Sequence, residues 1–121
     1  MDSNFAHISP MALQGSLLSG EDFILIDLRS TDKFDFEHIP NAISLPQKDL
    51  CKDFLSLLGV SAKKFSQASV CLICETGEVS EQIAKSEKAL TAKHLFVLKG
   101  GTSAWQKFGL PLRASRMRNA A

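Results

Sequence analysis

The sequence predicts an α/β fold, a mostly parallel sheet with helices on both faces. Three short and nearly continuous apolar runs carry that expectation: Phe23-Ile24-Leu25-Ile26, Val70-Cys71-Leu72-Ile73 and Leu95-Phe96-Val97-Leu98. Each reads as a strand buried on both faces. Segments with helical spacing of apolar residues lie between them, and strands alternating with helices imply parallel pairing through crossovers. With 121 residues, 45% of them apolar and 22% charged, the chain suits one globular domain spanning 1–121.

The elements follow in order. Ser9-Pro10 reads as an N-cap followed by proline at the first helical position, and Leu13, Leu17 and Leu18 form a helical stripe that Gly20 ends. The Phe23–Ile26 strand comes next, with Asp27 and Arg29 at its C-terminal end. Ala42-Ile43-Ser44-Leu45 is a weaker strand ahead of Pro46. Leu50, Phe54, Leu57 and Leu58 recur at helical spacing, and Gly59 stops that helix. The Val70–Ile73 strand leads to a helix marked by Val79, Ile83 and Leu90. The Leu95–Leu98 strand closes on Gly100-Gly101, and Thr102 is expected to cap a last helix carrying Ala104, Trp105 and Phe108.

Composition narrows the function classes. No apolar run approaches the roughly 18 residues of a membrane span. The opening Met1-Asp2-Ser3-Asn4 lacks the positive charge of a secretory signal. Three cysteines leave one thiol unpaired and do not suit a disulfide framework, so a reduced, cytoplasmic protein is expected. Residues 1–84 hold 6 basic and 12 acidic side chains, and residues 85–121 hold 8 basic and one acidic, which leaves a net charge of +1. In one compact domain these halves interleave, so no nucleic-acid partner is expected. The basic end with Arg113, Arg116 and Arg118 reads as a frayed tail over 113–121.

The segment Cys74-Glu75-Thr76-Gly77-Glu78-Val79-Ser80 is where chemistry is expected. A cysteine stands where a buried strand runs out, and a short loop with a central glycine leads into a helix. Ligands of such sheets sit beyond the C-terminal strand ends. Successive backbone N–H groups of Glu75 to Ser80 could converge there, and the helix N-terminus adds partial positive charge. A thiol so placed is favoured as thiolate, the nucleophilic form. Gly77 serves a left-handed turn or a close approach. Cys71-x-x-Cys74 has the spacing of a redox dithiol, but residues three apart on a strand face opposite sides about 10 Å apart, beyond the roughly 7 Å a disulfide allows. Cys71 and Cys51 are therefore read as core, and no metal site is expected. A cysteine phosphatase would need an Arg six residues on; Ser80 stands there.

Four motifs in register resemble a single-domain rhodanese (sulfurtransferase), over a core of about 8–112. Leu25-Ile26-Asp27-Leu28-Arg29 is similar to the family's strand ending in Asp-x-Arg. Glu37-His38-Ile39-Pro40-Asn41-Ala42 resembles its His-Ile-Pro-Gly-Ala turn, with Asn41 in place of glycine, and both residues tolerate positive φ. Cys74 to Ser80 matches its active loop. Gly100-Gly101-Thr102-Ser103-Ala104-Trp105 with Gly109-Leu110-Pro111 resembles its ending. The resemblance implies the three-layer rhodanese-like fold and covalent transfer of a sulfane sulfur through a Cys74 persulfide. It implies no cofactor, a small sulfur donor or a persulfide-bearing protein as partner, and a thiol or cyanide as acceptor. Asp27 and Arg29 are expected to fix the loop from behind, while His38 and Trp105 are read as structural. The loop departs from thiosulfate-using relatives, which often carry Arg or Lys there, by carrying Glu75 and Glu78. A charge about 6 Å away is worth roughly 1–3 kcal/mol, so thiosulfate, a dianion, is expected to be a poor donor. A non-catalytic protein-binding module and a thiol-based redox sensor are the competing classes.

Overall fold

The computed structural model describes residues 5–50, 53–87 and 90–115. A five-stranded sheet runs in the order β1-β5-β4-β2-β3. Its strands are β1 (Phe5–Ile8), β2 (Phe23–Asp27), β3 (Ile43–Ser44), β4 (Ser69–Ile73) and β5 (His94–Leu98). Every pairing is parallel. The helices are α1 (Pro10–Leu18), α2 (Thr31–Phe36), α3 (Phe54–Leu58), α4 (Ala62–Gln67), α5 (Glu78–Ser86) and α6 (Gly101–Lys107). None is long and apolar enough to cross a membrane among the described residues.

Side-chain alternation sorts the strands into two apolar layers. On one face Ile24, Ile26, Val70, Leu72 and Leu95 pack with Phe54, Phe65 and Ile83 of α3, α4 and α5. On the other, Leu25, Cys71, Ile73 and Leu98 pack with Leu13 of α1 and Trp105 of α6. The apolar runs are continuous because both faces are covered. Cys71, in the second layer, is core as expected, and burial pushes its thiol well above the ordinary thiol range. Cys51 lies outside the described residues.

α1 begins as its sequence requires: the Ser9 side chain accepts from the Ala12 N–H at 3.1 Å, with Pro10 at the first turn. Within it, Gly15 faces open space, with nothing within 4 Å of where a Cβ would stand. Gly15→Ala should therefore stabilise the protein by about 0.5–1 kcal/mol. Urea unfolding measures this, and a lower midpoint would contradict the open face.

Several expectations are corrected. β1 was not anticipated and starts the sheet before residue 8; α2 and α4, of six residues each, were not anticipated either. Leu50 lies outside α3, following a 3-10 turn at Gln47–Asp49. Leu90 is buried but follows the end of α5. Thr102 does not cap α6; Gly100 does, and Thr102 is a buried residue of the helix. Arg113 is not frayed: it bridges His38 through two backbone hydrogen bonds of 2.8 Å, and the Ser115 N–H reaches the Asp35 carbonyl at 3.0 Å. Residues 116–121 lie outside the described residues.

Candidate active site

β4 delivers Cys74 to the C-terminal edge of the sheet, where the residue is 4% exposed. The chain then turns sharply at Gly77, with φ +97°, before entering α5. A Cβ at Gly77 would lie 3.2 Å from the Gly100 nitrogen and 3.3 Å from the Leu98 carbonyl oxygen, so the position demands glycine both for its backbone and for space. The turn aims two amides at the sulfur. The Gly77 N–H donates to Cys74 Sγ at 3.0 Å and the Ser80 N–H at 3.4 Å. Of the six loop residues expected to supply amides, Gly77 and Ser80 do so. Donors converging on sulfur suit negative charge there.

The outer side of the loop is held by α6. The Thr102 N–H donates to the Cys74 carbonyl at 2.9 Å and the Ser103 N–H to the Glu75 carbonyl at 3.0 Å. These are amides that a helix start leaves without intrahelical partners. They draw the loop carbonyls away from the sulfur while the loop amides turn toward it. Gly101 permits the approach, because a Cβ there would strike the Cys74 carbonyl and the Glu75 backbone.

Asp27, fully buried, and Arg29, partly buried, form a forked ion pair. Arg29 Nη2 lies 2.8 Å from Asp27 Oδ2, Nε lies 3.0 Å from Oδ1, and Nη2 also donates to the Glu37 carbonyl at 2.7 Å. The pair thus braces the turn that begins at Glu37. It meets the Cys74 loop at one remove, through the Leu28 N–H on the Ile73 carbonyl at 2.8 Å. His38 stacks on Phe34 with centroids 3.9 Å apart, and its Nδ1 lies 2.8 Å from the Phe34 carbonyl. Asn41 takes φ +72°, the left-handed conformation its place in the motif requires. Trp105 is fully buried and its indole N–H donates to the Pro111 carbonyl at 2.8 Å. Both His38 and Trp105 have these packing roles.

The two loop acids face different ways. Glu75 lines an open cavity of about 380 Å³ together with Arg29, Lys33, Phe36, Thr102 and Leu112. There Lys33 Nζ pairs with Glu75 Oε1 at 3.1 Å. Lys33 carried no sequence signal, since it lies 42 residues from its partner. Glu78 lines a second cavity of about 420 Å³ on the other flank, with His7, Glu81 and Lys99. His7 and, after it, Lys85 hold the Glu81 carboxyl below its ordinary range through hydrogen bonds.

The family model for the rhodanese-like domain matches residues 12–108. An uncharacterized protein of Buchnera aphidicola subsp. Schizaphis graminum is 29% identical over 96 residues, covering 79% of this chain and 62% of that protein. The chain thus spans less than two thirds of that relative's length. Among solved structures, a rhodanese-related protein of Thermoplasma volcanium superposes with a TM-score of 0.72 at 19% identity, covering 90% of this chain and 98% of that one. A thiosulfate sulfurtransferase of Pseudomonas aeruginosa does so with a TM-score of 0.73 at 19% identity, covering 94% of this chain and 21% of that one. At these identities the structural likeness is one of fold.

Proposed function

The chain belongs to the rhodanese-like domain family, and from that premise we propose that it is a sulfurtransferase acting through Cys74. The observation that carries this reading is the pair of amides, Gly77 and Ser80, donating to Cys74 Sγ. The Cys74 thiolate attacks the outer sulfur of a persulfide R–S–SH. The new Sγ–S bond forms as the donor's S–S bond breaks, and its electron pair leaves on R–S⁻. Cyanide or a thiol then attacks the outer sulfur and regenerates the Cys74 thiolate. With cyanide the product is thiocyanate, which is the assay.

Donor choice follows from the charge that the loop carries next to Cys74. Glu75 faces the first cavity, and Lys33 offsets part of its charge. Both side chains are half exposed or more, so solvent screens the pair. Neutral, cationic or protein-borne persulfides are the preferred donors, with thiosulfate disfavoured. Glu75→Arg should raise kcat/KM for thiosulfate about tenfold, and Lys33→Glu should lower it. An unchanged or reduced value in Glu75→Arg would remove electrostatic exclusion as the reason.

A non-catalytic binding module is the second reading, favoured by the near-complete burial of Cys74. Thiocyanate production measured with several donors separates the two, because a binding module yields none from any.

A further inference from the structure

Ser80 lies in the first turn of α5, fully buried, beside the sulfur its own amide meets at 3.4 Å. Its hydroxyl is the sole buried side-chain oxygen or nitrogen among the described residues without a hydrogen-bond partner. A helical serine has an easy remedy in a bond back to a carbonyl of the preceding turn. Ser86, in the same helix, makes that bond to the Gln82 carbonyl at 2.9 Å. Ser66 does likewise with Lys63 at 2.9 Å. Ser9, Ser30 and Ser61 accept from backbone amides as helix caps. Against that background a buried hydroxyl without a protein partner is costly. An alanine would fill nearly the same space without the cost.

We propose that the Ser80 hydroxyl is a catalytic donor for the transferred sulfur, bonding it once Cys74 is loaded. The two amides already serve Sγ. The added sulfur stands one bond, about 2.05 Å, beyond Sγ. It carries the negative charge after its proton passes to water, and it brings a need for a donor that the unloaded site lacks. The hydroxyl keeps its proton and donates to that sulfur; no redox partner is involved. The inference rests on the sulfurtransferase reading above.

The test is an equilibrium. Wild type and Ser80→Ala are each mixed with cysteine persulfide and cysteine in varied ratio, and intact mass reads the fraction carrying one extra sulfur. Thermal melting is recorded for the unloaded and loaded forms. Ser80→Ala should bind the sulfur about tenfold less favourably, the worth of a hydrogen bond to a charged group. Its loaded form should gain less in Tm than loaded wild type, while its unloaded form melts no lower than wild type. Equal loading of the two proteins overturns the hydroxyl's role and leaves the sulfurtransferase reading standing. An unloaded Ser80→Ala that melts lower, or fails to fold, also overturns it, because the hydroxyl then has a partner, such as a buried water, before any sulfur arrives. A wild type that takes up no sulfur overturns the sulfurtransferase reading itself.

Discussion

Cys74→Ser should take up no sulfur and should lower thiocyanate production by at least about a thousandfold. The substitution keeps the volume of a residue that is 4% exposed and leaves the amides of Gly77 and Ser80 in place. It removes the sulfur on which the proposed S–S bond forms. The fold should survive, so circular dichroism and the melting temperature serve as controls. Mass spectrometry after donor treatment should show one extra sulfur on wild type and none on the variant. Cys71→Ser supplies the converse: its sulfur is fully buried in the layer with Leu25 and Trp105, and uptake should persist without it. A label that survives Cys74→Ser and vanishes in Cys71→Ser would move the chemistry elsewhere.

Gly101→Ala should be nearly as damaging, though residue 101 touches no substrate. Its Cβ would meet backbone atoms of Cys74 and Glu75, and backbone cannot rotate aside as the end of a side chain can. The residue also has φ +61°, where an L side chain is strained. Relief requires α6 to withdraw, which breaks the Thr102 bond to Cys74 and the Ser103 bond to Glu75. The expected cost is about 2–4 kcal/mol of stability. Sulfur transfer should fall about a hundredfold as the loop amides lose their aim. Urea unfolding and the thiocyanate assay report the two effects. Normal stability together with normal transfer would show that α6 does not hold the loop.

The strands most visible in the sequence were those whose both faces are covered, because continuous apolar character survives only there. β1 lacks that signature for the opposite reason: it is an edge strand, with Ala6 and His7 exposed and Phe5 and Ile8 half-buried. α2 and α4 are too short for a helical period to repeat. α6 was placed correctly but started from the wrong residue. Thr102 has the chemistry of a cap, yet its amide is drawn to Cys74 and the turn falls to Gly100. At the site, the left-handed turn at Gly77 was legible from the Cys74–Ser80 loop, but of the six amides expected to meet the sulfur only those of Gly77 and Ser80 donate to it. Lys33 was not, because its pairing with Glu75 arises only when α2 folds beside the Cys74 loop. The unbonded state of Ser80 depends on three-dimensional packing and leaves no trace in residue order.

The opposed faces of β4 bear on how this protein meets peroxide. A sulfenic acid at Cys74 is spared further damage when a second thiolate condenses with it. Cys71, the nearest thiol along the strand, points into the layer under Trp105, and its burial works against the ionised form that such a condensation needs. The strand that leads to Cys74 therefore offers it no resolving partner, and protecting a Cys74 sulfenic acid from oxidation to sulfinic acid falls to a thiol from outside that strand.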